Sequence, residues 1–456
     1  MGATEYLARF ACELEFEKIP AEAVDWAKTA ILDCTGVALA GAGEEIGNII
    51  TEYAKEVGGT PESGVIAGGF KTDAVTAALA NGTLSHALDY DDYVLPNWTG
   101  HPTAPVLPAI FSLGQRQKIS GKQALVAYIA GFEVGAKIGE GLGRGHYEHA
   151  GWHATATLGT MGAAAACCSI LKLDLARASK AMGIAGSEAG GLRQNFGTMT
   201  KPFHAGLAAR NGVLAARLAQ KGFTADVNII EGPLGFSKIF TAGGEYDLEL
   251  MSQGLGESFW IVKSGVSIKP YPCCAEGHRC LDAILFLADK HDIKAEDVES
   301  VECRTSDIVP QVMIRHNPQT GSEGKFSMEF CMAVALLDRA AGLPQFTTER
   351  VQDPKVQELL TRVHYVHPPE ISGYLKMESN PETVTVRLRN GDAFSREVLE
   401  SKGKPGNRLS QKELEEKYTA CASRSISPQR IERSLELLHD FEKLEDISQL
   451  MDVVCE

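Results

Sequence analysis

The strongest constraint in this sequence is that its hydrophobic periodicity changes twice along the chain. Up to residue 264, segments such as "PAEAVDWAKTAILDCTGVALAGA" place apolar residues at helical spacing. Strand-like alternation appears between 265 and 403, and helical spacing returns from 404 to 456. We therefore predict a mainly α protein, in which residues 1–264 and 404–456 form a large all-helical domain and residues 265–403 form an inserted, smaller α+β lid domain.

The clearest strand signal lies in the middle region, in "TVTVRLRNGDAFSREV". Val384, Val386 and Leu388 alternate with polar residues, which is typical of a half-buried strand. Asn390 and Gly391 follow, and this dipeptide favours a type I′ turn that returns the chain as a second strand. The segment therefore predicts a β-hairpin.

The helical regions carry their own boundary signals. Pro20 and Pro428 predict helix starts, Asp73 predicts an N-cap, and Ser410 with Glu413 fits a capping box. The segment "TATLGTMGAAAACCSILKL" consists largely of small residues, which let neighbouring helices approach closely. These features indicate a large buried bundle, and no strand–helix alternation of a nucleotide-binding sheet precedes residue 265.

Composition excludes several classes of partner. The chain has 456 residues, of which 44% are hydrophobic and 23% charged, as in soluble globular proteins. Its net charge of −15 argues against nucleic acid or an anionic membrane surface, although a local basic pocket can still bind a small anion. No apolar run is long enough to span a bilayer, and the N-terminal segment is acidic, so we expect a cytoplasmic protein.

The cysteines and glycines give no cofactor signal. Eleven cysteines without a C-x-x-C pair predict reduced thiols that act mostly as small core residues. The group Cys273, Cys274, His278 and Cys280 resembles a metal site, but adjacent cysteines chelate zinc poorly. The segment "GEGLGRGH" lacks the spacing of a dinucleotide loop. These segments therefore predict neither a structural zinc site nor a dinucleotide loop.

An acid-rich segment, "HALDYDDYVLPNWTGHP", begins at His86 and includes three carboxylates before a second imidazole. It is compatible with a metal site, a catalytic loop or a turn. A metal site requires two carboxylates and a histidine that face one point. We expect Asp91 and Asp92 to cap a helix end or lie in a solvated turn, whereas Asp89 is a candidate functional acid.

Further candidates are imidazoles and lysines in unusual local settings. His101 follows the acid-rich segment, His153 precedes an apolar helix, and Lys201 and His204 lie in "TKPFHAG". Lys269 lies in "SIKPYP", so the Lys-Pro pair occurs twice among small and apolar neighbours. Taken singly, such histidines are compatible with hydrogen-bonded core residues and such lysines with surface charges.

Together these segments resemble the MmgE/PrpD family, which includes 2-methylcitrate dehydratases, cis-aconitate decarboxylases and iminodisuccinate epimerases. The motifs that carry the resemblance are "NGTLSHALDYDDY", "GHPTAPVLPA", "WHATATLGTMGAAAA", "TMTKPFHAGLAARNG", "IKPYPCCAEGH" and "GKFSMEFCMAVALLD". The resemblance covers nearly the whole chain. It implies a large helical domain, an α+β lid, a homodimer, and neither metal nor organic cofactor.

The resemblance also implies a pocket for a small di- or tricarboxylate. The residues that it assigns to catalysis are His153, His101, Lys201, Lys269 and Asp89. The residues that it assigns to substrate binding are Tyr93, His204, His278 and Phe330. Tyr93 stands where the decarboxylase has a threonine and Phe330 where it has a tyrosine, and the loop before His101 is two residues longer. Dehydration, decarboxylation and epimerisation therefore stay open.

The chemistry shared by these activities is proton transfer at a carbon next to a carboxylate. Such a site needs a base and cations that stabilise developing negative charge. Lys201 and Lys269 suit carboxylate binding, and His153, followed by His101, is the leading acid–base group. We expect a cofactor-independent lyase. The alternatives are an epimerase and a catalytically inactive member that binds a polycarboxylate.

Overall fold

The computed structural model describes residues 1–95 and 100–456, so residues 96–99 of the acid-rich segment lie outside the described residues. The chain divides into two compact units. The large unit comprises Met1–Ile268 and Ser410–Glu456, and the small unit comprises Lys269–Leu409.

Up to Ile268, helices dominate the large unit. They are α1 (Ala3–Glu13), α2 (Ala21–Ala42), α3 (Glu45–Val57), α4 (Ala74–His86), α5 (Thr103–Gln117), α6 (Gly121–Leu142), α7 (Gly145–Glu148), α8 (Ala154–Ile170), α9 (Leu175–Glu188), α10 (Thr200–Gln220), α11 (Phe236–Phe240), α12 (Leu248–Met251) and α13 (Trp260–Lys263). A two-residue ladder pairs β1 (Ser63–Gly64) with β2 (Lys71–Thr72).

The small unit folds around a four-stranded sheet with the order β4-β3-β5-β6. Its elements are α14 (His278–Lys290), β3 (Val298–Arg304), α15 (Val309–Val312), α16 (Gly321–Gly324), α17 (Met328–Asp338), α18 (Thr348–Val351), α19 (Pro354–Leu360), β4 (Val363–Val366), α20 (Tyr374–Ser379), β5 (Glu382–Leu388) and β6 (Ala393–Val398). Strand β3 pairs parallel to β4 and antiparallel to β5. The remaining helices, which return to the large unit, are α21 (Gln411–Ala422), α22 (Pro428–His439) and α23 (Ser448–Cys455).

The helix boundaries follow the local signals. The Asp73 carboxylate accepts hydrogen bonds from the N–H groups of Val75 and Thr76 at the start of α4. Ser410 and Glu413 form the capping box of α21. α2 begins directly after Pro20, and Pro428 is the first residue of α22. These boundary predictions are confirmed.

Small residues bring the central helices of the large unit close together. Gly82 on α4 and Gly206 on α10 face each other so closely that a Cβ on Gly82 would lie 2.8 Å from the Gly206 Cα. A Cβ on Gly206 would lie 2.3 Å from the Leu79 carbonyl oxygen. A Cβ on Gly212 of α10 would likewise lie 2.5 Å from the Cβ of Ala163 on α8. The predicted close helix packing is therefore confirmed, and it places the end of α4 beside the start of α10.

The predicted β-hairpin is present, but its turn type is different. β5 pairs antiparallel with β6, and Arg387 faces Ala393. A type I′ turn requires positive φ at both central residues, whereas Asn390 does not have positive φ and Gly391 does, at 96°. The Gly391 N–H bonds to the Leu388 carbonyl, so the chain turns through Arg389 and Asn390 and leaves the turn at a left-handed glycine. The loop between β5 and β6 is therefore one residue longer than the loop of a type I′ hairpin.

The mainly α prediction is confirmed, since helices account for most of the described chain. In residues 1–95 and 100–456, no helix has both the length and the apolar character that a bilayer crossing requires.

Candidate active site

The polar cluster of the large unit forms where α4 ends and α10 begins. His86 is the last residue of α4, and the acid-rich segment follows it directly. Lys201 lies in the first turn of α10. The crossing at Gly82 and Gly206 explains why residues so distant in sequence meet.

Asp89 links the lysine to one of the histidines. Its Oδ1 lies 2.6 Å from the Lys201 Nζ and 3.5 Å from the His101 Nε2. Its backbone is left-handed, with φ of 51°, a region in which asparagine and aspartate are enriched among residues other than glycine. Such a conformation costs on the order of 1–3 kcal/mol and is characteristic of functional sites. The backbone geometry thus places this carboxylate in contact with the Lys201 ammonium and near the His101 ring.

Asp91 orients two imidazoles. The Nδ1 of His86 lies 2.9 Å and the Nδ1 of His101 lies 3.1 Å from its carboxylate. The His101 Nδ1 is also 2.8 Å from the Asp92 carbonyl oxygen, which can only accept, so this nitrogen carries a proton. The Nε2 of a neutral His101 is then a proton acceptor. These contacts therefore favour the His101 tautomer that is protonated on Nδ1.

The expectation that Asp91 and Asp92 cap a helix or lie in a solvated turn is wrong. Both side chains are fully buried. Burial opposes ionisation of Asp91, but the His86 and His101 imidazoles hold its pKa well below the usual value. Burial and the neighbouring Asp91 charge raise the pKa of Asp92 well above the usual value, and its Oδ2 accepts a hydrogen bond from the Thr103 hydroxyl at 2.8 Å.

A buried ion pair between α21 and α2 contacts the acid-rich segment. The Lys417 Nζ on α21 lies 2.6 Å from the Asp33 carboxylate of α2. The same ammonium donates to the Tyr90 carbonyl oxygen at 2.8 Å and lies 3.9 Å from the centre of the Tyr90 ring. Tyr90 stands between the two acids that contact the histidines, so this lysine restrains the backbone of the site.

His153 occupies the N-cap position of α8. Its N–H donates to the Gly191 carbonyl oxygen at 2.9 Å, and its ring meets the Phe196 ring edge-on at 5.0 Å. Burial and then the Lys201 ammonium hold the pKa of His153 well below the usual value, so the imidazole is neutral near pH 7. A neutral, buried imidazole beside a lysine is suited to exchange protons with a bound anion.

His204 completes the imidazole cluster. Its Nδ1 lies 3.2 Å from the Nδ1 of His153. Burial and then Lys201 lower the pKa of His204 to about 4. Two neutral imidazoles in this contact share one proton, because one Nδ1 must donate and the other accept.

The structure brings together Asp89, His101, His153, Lys201 and His204 in the large unit. Tyr93 also belongs to this unit, where its buried backbone pairs with Ser267. Their roles in catalysis and substrate binding stay predictions.

The remaining predicted site residues belong to the small unit. Lys269 is its first residue and is buried. His278 starts α14, and its Nε2 lies 3.2 Å from the Cys273 carbonyl oxygen. Phe330 is fully buried in α17 and packs edge-on against Phe346 at 5.4 Å. The proposed roles of Lys269, His278 and Phe330 stay predictions.

The cluster also satisfies the geometric condition stated above for a metal site. One ligand atom each from His86, Asp89, Asp91 and His101 lies within 4.8 Å of the others. The Lys201 ammonium, however, is 2.6 Å from Asp89 and already supplies positive charge at that carboxylate. A divalent cation on Asp89 would meet this ammonium at close range. We therefore still predict that this site binds no metal.

His86, Asp91 and Lys417 were not predicted from the sequence as site residues. His86 and Asp91 lie in the acid-rich segment, where a histidine five positions before an acid at a helix end was the available signal. Lys417 lies in an ordinary amphipathic helix far from the motifs, and nothing in its local sequence distinguishes it from a surface lysine.

The fold and this cluster define a mainly α protein with a buried polar cluster of carboxylates, imidazoles and a lysine. The MmgE/PrpD N-terminal domain matches residues 5–249, and the MmgE/PrpD C-terminal domain matches residues 271–443. The chain belongs to the MmgE/PrpD family.

Curated relatives align over almost the full chain. The cis-aconitate decarboxylase of Mus musculus is 29% identical over 93% of this chain and 87% of its own length. The cis-aconitate decarboxylase of Homo sapiens is 27% identical over 98% and 93%. The cis-aconitate decarboxylase of Aspergillus terreus is 29% identical over 99% and 96%.

Proposed function

We propose that this protein is a lyase that acts on a small di- or tricarboxylate, with decarboxylation of cis-aconitate as the first candidate reaction. The observation that carries the proposal is the buried contact of Lys201 with Asp89, next to His101 and His153. Full-length similarity to cis-aconitate decarboxylases supports the choice of reaction.

Lys201 is proposed to bind a substrate carboxylate. Its ammonium lies at the positive end of the dipole of α10, so the two effects together attract an anion. Asp89 is the counter-charge of this ammonium in the free protein, at 2.6 Å. A substrate carboxylate then shares or displaces this contact, which makes the cation available without a large rearrangement.

His153 and His101 are proposed to handle the proton. Decarboxylation breaks a C–C bond, releases CO₂ and leaves the electron pair on the remaining diacid, where a proton must join carbon. The reaction therefore consumes one proton in each turnover. A buried imidazole can deliver it while Lys201 stabilises the carbanion, which resembles an enolate.

Dehydration is the second candidate, because Tyr93 and Phe330 depart from the pattern of the decarboxylases that the sequence resembles. The same base and cations would remove a proton beside a carboxylate and expel hydroxide as water. Epimerisation would return the proton to the opposite face. A binding protein without turnover would use the lysine alone.

We expect a substrate panel to separate these reactions. The purified protein is incubated with cis-aconitate, 2-methylcitrate, citrate and iminodisuccinate, each with and without EDTA, and followed by proton NMR. Loss of CO₂ from cis-aconitate, unaffected by EDTA, is the expected result. Turnover of another acid would reassign the reaction. Binding of all four acids without turnover would overturn the lyase proposal, and loss of activity in EDTA would contradict the metal-free site.

The pH profile should reflect the depressed pKa of His153. Burial and Lys201, with smaller contributions from His86, His204 and His101, favour its neutral form. His153 is therefore protonated only at a lower pH than an ordinary imidazole. We expect kcat/KM to stay level as the pH falls from 8 to about 6, below the ordinary histidine pKa of about 6.5. A decline centred near that ordinary value would show that a solvent-exposed imidazole carries the proton instead.

A further inference from the structure

A cavity of about 310 Å³ borders the cluster on the side of His204. It lies between the end of α9, the Gly190–Leu192 segment and α10, with Thr160 of α8 also in its wall. Its rim residues Glu188 and Leu192 are exposed, whereas His204 is buried. The cavity therefore connects solvent to the His204 imidazole.

His153 is not among the residues that line this cavity. Its side chain is buried, with the Phe196 ring on one side and the His86 ring stacked at 5.7 Å on another. Its Nδ1 meets the Nδ1 of His204. The Nε2 of His153 can therefore face the substrate. Its Nδ1 is connected to the cavity through His204.

The Gly191 backbone holds this arrangement in place. Its carbonyl oxygen accepts the His153 N–H, and its φ is +130°. A Cβ at Gly191 would lie 3.2 Å from the His204 Nδ1 and 2.8 Å from the Ala156 Cβ. The segment thus fixes the His153 backbone and packs against the His204 ring with no room for a side chain.

We propose that His204 passes solvent protons from this cavity to His153, so that the reacting carbon is supplied through a two-imidazole relay. The inference rests on the proposed function, because decarboxylation consumes one proton in each turnover. In this proposal His204 carries protons, in place of the substrate contact that the sequence resemblance implies for it.

The relay balances as three proton transfers. Water in the cavity gives a proton to the His204 Nε2, the His204 Nδ1–H passes to the His153 Nδ1, and the His153 Nε2–H passes to carbon. Hydroxide remains in the cavity and is neutralised by buffer. Both imidazoles end neutral with their tautomers exchanged. When product leaves, water that enters the site gives a proton to the His153 Nε2, the His153 Nδ1–H returns to the His204 Nδ1, and the His204 Nε2–H passes to buffer in the cavity. The hydroxide left in the site diffuses out and takes a proton from buffer. Because neither ring has to hold a full charge, the relay agrees with the depressed pKa values of both histidines.

A buried histidine with a purely structural role has a fixed hydrogen-bond partner at each ring nitrogen. His146, in the same unit, is equally buried, but its Nδ1 contacts the Phe240 carbonyl oxygen and its Nε2 contacts the Thr157 hydroxyl. Both of its nitrogens are thus bonded to groups that fix it. The His204 Nδ1 instead contacts another imidazole, and His204 also lines the cavity.

Chemical rescue tests the relay. His204→Ala should lower kcat by about a hundredfold, the low end of the contribution of a general acid–base group. Imidazole added to the assay can enter the enlarged cavity, and it should restore at least about tenfold of that loss. His204→Phe refills the space without a proton carrier and should not be rescued. His146→Ala, the matched control, should keep wild-type turnover and show no response to imidazole.

Three results would overturn the relay: wild-type turnover in His204→Ala, a loss that imidazole does not restore in a folded variant, or equal rescue of His204→Phe. Nitrogen NMR of histidine-labelled protein without substrate gives a second readout. Coupling between the two Nδ1 atoms through their shared proton is expected, and its absence would also overturn the proposal. This readout does not depend on turnover, whereas an inactive wild type in the substrate panel would contradict the proposed function alone.

Discussion

Replacing His153 with glutamine is expected to lower kcat by at least about a hundredfold while the protein stays folded. Glutamine keeps a polar side chain of similar length but cannot relay a proton between two ring nitrogens. The side chain of His153 makes no capping hydrogen bond at the start of α8, and its backbone bond to Gly191 persists in the variant. Steady-state kinetics and thermal unfolding of the same preparation measure the two quantities.

Two comparisons make this prediction specific. His101→Gln tests the second acid–base candidate, and His146→Gln removes an equally buried imidazole outside the cluster. Solvent deuterium should enter the product of the wild type and enter far more slowly in His153→Gln. Unchanged kinetics in His153→Gln, with inactivity in His101→Gln, would move the acid–base role to His101.

Much of this site could be predicted because its residues stand in distinctive local sequences. Asp89, His101, His153, Lys201 and His204 all lie in motifs that combine charge or imidazole with small and apolar neighbours, and the structure places them in one cluster. Helix boundaries at Asp73 and Ser410 were also predictable, because capping depends on hydrogen bonds to the backbone two or three residues away.

The errors have a common physical cause, which is tertiary contact. Asp91 looked like a solvated acid because its sequence neighbours are polar, but His86 at the end of α4 and His101 before α5 contact its carboxylate. Lys417 was not singled out, because only the packing of α21 against α2 brings its ammonium to Asp33. In the β5–β6 hairpin, Asn390 and Gly391 favour a type I′ turn locally, whereas the observed turn includes Arg389, whose N–H bonds to the Asp297 carbonyl oxygen.

Lys417→Met is expected to cause the largest loss of stability among single substitutions at this site. The Lys417 and Asp33 side chains are 5% and 0% exposed, and their charged atoms lie 2.6 Å apart. Removing the ammonium leaves the Asp33 carboxylate buried without its counter-charge, which costs on the order of 3–5 kcal/mol. The substitution also removes the donor to the Tyr90 carbonyl oxygen. Urea unfolding, followed by circular dichroism, measures the change.

The double variant Asp33→Asn with Lys417→Met separates the stranded charge from the lost hydrogen bond. It removes both charges, so it should recover much of the loss, because a buried pair can often be replaced by neutral groups at little cost. The exposed pair Lys443–Asp440 supplies the control, and Lys443→Met should change stability by less than about 1 kcal/mol. A similarly small effect of Lys417→Met would show that water reaches Asp33. If the double variant regains stability but not turnover, the Lys417 bond to Tyr90 is what holds Asp89 and Asp91 in register with their histidines.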